Sequence, residues 1–153
     1  MSFSNEFLYD FKPVYEGILM AKDVKPERAV VEVIDEEQEG AGMFEPAGAL
    51  EVLEQIGDDV NTLTIYTDRA AYFREFAETM YEKNGLVSLI VSKKRLGLAK
   101  KTVGCSSIFL FDFEWNSAFY EKQIALGKHY IPIHKRAWRT AENLEEIYIY
   151  PAC

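Results

Sequence analysis

Between Thr62 and Glu114 the chain alternates between two apolar patterns, and this alternation constrains its fold more than any other feature. TLTIYTD is a short run rich in β-branched and aromatic residues. RAAYFREFAETMYEKNG follows, with Phe73, Phe76, Ala77 and Met80 at i, i+3, i+4 and i+7, one face of a helix. LVSLIVSK and, after a basic connection, SSIFLFDFE are again short and apolar. Runs apolar on both faces suit strands buried between two layers. The sequence strand, helix, strand, connection, strand predicts a three-layer α/β sandwich with a mainly parallel five-stranded sheet and right-handed crossovers.

The remaining segments extend this pattern. Pro13 suits the first turn of a helix running to about Ala21, because its missing N–H is unpaired there in any case. RAVVEVID, from Arg28, opens the first strand, and the acidic loop EEQEGAGMFEP follows it. Pro46 then begins a helix with Ala49, Leu50, Leu53 and Ile56 inward, and Gly57 ends it. Further strands are predicted at Leu63 to Thr67, Leu86 to Val91, Ile108 to Phe113 and Tyr130 to His134. The fourth is the most hydrophobic, which predicts a central position; Pro132 predicts an edge position for the fifth. Asn84-Gly85 supplies a helix stop. Short helices are expected around Leu98 to Lys101, from Asn116 or Ser117 to Leu126, and from Thr140. The whole of 1–153 is expected to form one domain, with 1–27 an apolar arm and helix packed on it. At fold level the pattern resembles Rossmann-like and flavodoxin-like domains, a resemblance that implies architecture and no activity.

Apolar residues make up 48% and charged residues 27% of the chain, a globular balance. No apolar run approaches the roughly 18 residues of a membrane span. The first residues carry Glu6 and Asp10 without a basic leader region, so a cytoplasmic protein is expected. Cys105 and Cys153 follow no metal-binding spacing, and two reduced thiols are expected. A net charge of −8 argues against nucleic acid and against an anionic membrane as partners. The charge is uneven: residues 1–80 hold 6 Lys/Arg against 18 Asp/Glu, and residues 81–153 hold 11 against 7. That split points to an anionic small molecule near the C-terminal half, to self-association, or to chance segregation on a solvated surface.

In open parallel sheets, ligands sit at the carboxyl ends of the strands. Those ends carry Asp35 with Glu36 and Glu37, Thr67 with Asp68, Lys93 with Lys94 and Arg95, Asp112 with Glu114, and His134 with Lys135 and Arg136. A strand period of two puts Asp112 and Glu114 on one face, where with Asp68 or Asp35 they could hold Mg²⁺ for phosphoryl chemistry. The plainer role of Asp112 is a cap or a pair with a neighbouring Lys or Arg. Directly before a helix, Asp68 has N-capping as its ordinary role. The basic connection Lys93, Lys94, Arg95, Lys100 and Lys101 could receive a phosphorylated ligand or an acidic partner, or be a solvated crossover. Gly40-Ala41-Gly42 lacks the GxGxxG spacing, and Glu36, Glu37 and Glu39 would repel a phosphate there, so a dinucleotide site is not expected. His129 and His134 share no ligand spacing, no nucleophile elbow occurs, and no cofactor motif is present. The leading expectation is a module that binds a protein partner or itself. A Mg²⁺-dependent phosphoryl-transfer or hydrolytic enzyme, and a small-molecule binder at the strand ends, are the alternatives.

Overall fold

The apolar runs pair side by side, all in one direction. The computed structural model describes residues 11–36, 48–97, 107–114 and 128–133. Its strands are β1 (Val30–Ile34), β2 (Leu63–Tyr66), β3 (Ser88–Val91), β4 (Ile108–Asp112) and β5 (His129–Pro132), and its helices are α1 (Lys12–Ala21), α2 (Ala49–Ile56) and α3 (Ala70–Asn84). The sheet order is β3-β2-β1-β4-β5 and every pairing is parallel. The architecture is thus an open α/β sandwich, as the sequence predicts.

Two expectations need correction. The central strand is β1 and not β4. Hydrophobicity reports burial on both faces, which β4 has, but order is decided by where the crossovers land. The chain lays β2 and β3 on one side of β1, then returns to lay β4 and β5 on the other. The first strand also starts at Val30, because Pro26–Arg28 closes a 3-10 turn in which the Arg28 N–H donates to the Lys25 carbonyl at 2.9 Å. Pro132 ends β5, an edge strand as expected. The arm before Phe11, Pro46, the helices expected at 98–101, 116–126 and beyond 140, and both cysteines lie outside the described residues.

The two faces of the sheet differ. Val31, Val33, Leu63, Ile65, Phe109, Phe111 and Ile131 share one face, and the buried stripes of all three helices pack against it. Phe111 is central to that core, with Phe11 edge-on at 5.6 Å and Tyr15 of α1 at 6.3 Å between ring centres. The inward stripe of α2 is Ala49, Val52, Leu53 and Ile56, so Val52 takes the buried place expected for Leu50. The opposite face is smaller and mixed: Ile34, Tyr66, Leu110 and Tyr130 meet Leu96 from the 3-10 turn Lys93–Gly97. Among the described residues no helix is long and apolar enough to cross a membrane.

Gly85 ends α3 with φ 71°, a left-handed conformation that lets its N–H reach the Tyr81 carbonyl at 2.9 Å and the Leu86 N–H reach that of Met80 at 3.3 Å. A Cβ on Gly85 would meet nothing within 4 Å. The cost of Gly85→Ala is therefore conformational alone, and urea unfolding is expected to show a loss of about 1 kcal/mol.

Candidate functional site at the carboxyl edge of the sheet

The order in which strands are added reverses between β1 and β4, so the crevice at their carboxyl ends is the place where sheets of this topology bind ligands. Asp35 and Asp112 flank it, and both are fully buried. Alternation along the strands sends them to opposite faces. Asp35 follows Val31 and Val33 to the helix-covered face, while Asp112 follows Leu110 to the mixed one.

Asp35 is the hub of the first side. Arg69, in the turn between β2 and α3, grips it with two bonds, Nε to Oδ2 at 2.7 Å and a terminal nitrogen to Oδ1 at 2.8 Å. The Thr67 hydroxyl donates to Oδ2 at 2.8 Å and accepts from the Arg69 N–H at 3.0 Å. The Arg69 guanidinium lies over the Tyr72 ring at 4.0 Å and reaches Glu36 Oε1 at 3.4 Å. The bond to Asp35 raises the Arg69 pKa beyond the ordinary arginine range and fixes the charge.

Glu36 closes the start of α2. Its Oε2 accepts the Ala49 N–H at 3.0 Å, while the Gly48 N–H donates to Glu51 at 2.9 Å. Two carboxylates, one of them from the end of β1, thus satisfy the first amides of the helix. A Cβ on residue 48 would collide with Glu36 Oε1, so a larger residue there would require the end of the Glu36 side chain to shift. Burial pushes the Glu36 pKa up and Asp35 adds to the rise; the Ala49 N–H and Arg69 pull it back. In dinucleotide-binding sheets of this order a phosphate sits at the N-terminus of the helix after β1. Here a carboxylate of the chain occupies that position.

On the mixed face, Asp112 accepts the Tyr130 hydroxyl and, at 2.8 Å, the Glu114 N–H. Glu114 Oε2 lies 2.9 Å from the Lys93 Nζ, an ionic contact not aligned as a hydrogen bond. Lys93 follows β3, so this contact crosses the ends of β2 and β1. The basic connection and the strand-end carboxylates therefore do meet, and they meet as a pair. Asp68 accepts the Ser92 hydroxyl at 2.8 Å and the Lys93 N–H at 3.3 Å. This corrects the capping expectation: the α3 N-cap is Arg69, without a side-chain cap, and Asp68 instead ties the β2 turn to the end of β3. Lys94 and Arg95 are exposed. Lys135, Arg136 and His134 lie outside the described residues. His129 stacks on Phe109 at 4.7 Å. Among the described residues no group of three or more His, Cys, Asp or Glu side chains is placed to hold a metal ion.

Sequence reasoning missed Arg69 and Glu32. Glu32 stands in the middle of β1, 8% exposed, and Lys128 reaches it at 2.6 Å, with the Tyr66 hydroxyl at 3.5 Å. The signal was present, because an acid inside VVEVI needs a buried partner. With this geometry in hand, comparison with protein families, curated proteins and solved structures gave no match.

Three expectations follow. Arg69→Ala strands a fully buried carboxylate and is expected to cost about 3–5 kcal/mol in urea unfolding. Lys83→Ala, which breaks an exposed 3.4 Å pair with Asp58, should leave the urea midpoint nearly unchanged. Glu36 has its folded pKa raised, so its contribution to stability is full below about pH 4.5 and is lost as pH rises through the folded value. Glu36→Gln keeps an acceptor for the Ala49 N–H and removes that titration. Its melting temperature relative to the parent should therefore climb between pH 4 and neutrality.

Proposed function

We propose that this protein acts as an association module, binding another protein surface or a copy of itself, and not through chemistry at its strand ends. The observation that carries this reading is the internal pairing of the strand-end carboxylates among the described residues. Asp35 faces Arg69, Glu114 faces Lys93, and Asp112 faces Tyr130. A phosphoryl-transfer site needs carboxylates turned together onto a metal, and a phosphate site needs cations turned outward. Here the charges are turned toward each other. Meanwhile Tyr81 and Val87, both more than half exposed, line one groove between α3 and the edge strand β3, and Leu89 of β3 is also more than half exposed.

The test is sedimentation velocity over a hundredfold range of protein concentration, beside thermal shifts with Mg²⁺, inorganic phosphate and nucleotides. A weight-average mass that rises with concentration, with melting temperatures unmoved by the small molecules, is expected. A monomer at every concentration whose melting temperature climbs by several degrees with Mg²⁺ or phosphate would overturn the reading.

A further inference from the structure

We infer that β3 pairs antiparallel with β3 of a second copy, so that two five-stranded sheets continue as one across a two-fold axis. The inference rests on the association reading above and specifies its surface.

The argument begins with the backbone. Among the described residues β3 has one neighbour, β2. The Thr67 N–H donates to the Val91 carbonyl at 2.8 Å, so the polar groups of Val91 and, two residues earlier, Leu89 turn toward β2. Those of Ser88 and Ile90 then turn outward, because successive residues of a strand direct their N–H and C=O to opposite sides. Edge strands are usually blunted by charge, proline or a bulge. Ser88–Val91 reads SLIV and has no charge or proline.

A two-fold at Leu89 satisfies this edge with itself. Ser88 of one copy then lies opposite Ile90 of the other, and each such pair exchanges two N–H···O bonds, the hydrogen-bonded pair of an antiparallel ladder. Leu89 meets Leu89 of the second copy across the axis, and Val87 meets Val91. On one face of the joined sheet this covers Leu89, 57% exposed, and Val87, 69% exposed. A centre one residue further on would set Val87 against Lys93, which already faces Glu114, and would leave Leu89 off the axis.

The helices favour the same arrangement. A groove of about 300 Å³ runs between Ala77, Glu78 and Tyr81 of α3 and Leu86 and Val87 at the start of β3. Continuing the sheet sets the two α3 helices antiparallel and about two strand spacings apart, ~10 Å, which is the packing distance of helices. Arg74, Ala77, Glu78 and Tyr81 share one side of α3 at i, i+3, i+4 and i+7. The small Ala77 allows close approach near the axis. Arg74 of each copy is brought toward Glu78 and Glu82 of the other, opposite charges on a self-complementary surface.

The test uses the full chain. Leu89 pairs across the axis at a non-hydrogen-bonded position, where Cα atoms stand about 4.5 Å apart, within disulfide range. Mild oxidation of L89C is expected to give a covalent dimer linked at position 89 by mass spectrometry, while M20C, at a more exposed position away from β3, does not. I90P removes an outward donor without touching the bonds to β2, and L89D charges an exposed position that the fold does not use. Both are expected to weaken dimerisation at least tenfold in sedimentation equilibrium, and L89D decides the matter if I90P fails to fold by circular dichroism. A wild-type dimer that persists in L89D and shows no linkage at 89 would overturn the β3 pairing while leaving association intact. A wild-type chain that stays monomeric overturns both.

Discussion

Asp35 can be buried at the end of the central strand only because Arg69 holds it. Removing a carboxylate from water costs several kcal/mol, and a two-pronged guanidinium with a further hydroxyl bond is the arrangement that offsets most of that. The consequences reach beyond one pair. Arg69 sits in the turn that starts α3, Asp35 ends β1, and Glu36 beside it closes the start of α2. One charge cluster thereby fixes three segments that nothing covalent holds together locally. Its geometry also decides what the carboxyl edge can do, since Glu36 occupies the helix terminus where an anion would otherwise be received.

The uneven charge of the sequence acquires a partly internal explanation. Glu32 and Lys128 join the acidic first half to the basic second half in the interior, and Asp58 and Lys83 do so at the surface. The buried pair carries more consequence. It lies inside the mixed face, with the Lys128 Nζ 5.8 Å from the centre of the Tyr66 ring, and it joins strands that are two positions apart in the sheet. An apolar pair of the same volume would serve stability as well or better. What the ionic pair adds is position: a slip of β5 by one residue would separate Lys128 from Glu32 and leave both charges unpaired.

Fold class was legible because it depends on run length and period, which are local. The stripe Phe73, Phe76 and Met80 and the stop at Gly85 could be read directly. Contacts between segments were not. Asp68 carries every local mark of a cap, yet Ser92, 24 residues later, competes for its carboxylate through the pairing of β2 with β3. Arg69 read as the first residue of a helix, and its partner lies 34 residues earlier in another strand. The prominence of β4 misled in a different way, because IFLFD records burial on two faces and holds no information on which strand the crossovers leave in the middle.

The two edges of the sheet stand in opposite conditions, and the contrast has a physical basis. At the carboxyl edge all strand ends point the same way, so unmatched charges accumulate there and must be neutralised from within or by a ligand. Among the described residues, Asp35 and Glu114 are met from within, by Arg69 and Lys93. At the lateral edge, among the described residues, β2 matches only one of the two sides of β3. Water can satisfy the amides on the other side, but it does not cover Leu89 and Val87. A copy of the same strand does both at once, and the contact leaves the carboxyl edge uncovered, with Lys94 and Arg95 exposed just beyond the end of β3. Association through β3 would then place two such basic turns at opposite ends of one continuous sheet. It follows that an acidic ligand of those turns would meet them as separate sites, without the avidity that adjacent sites would provide.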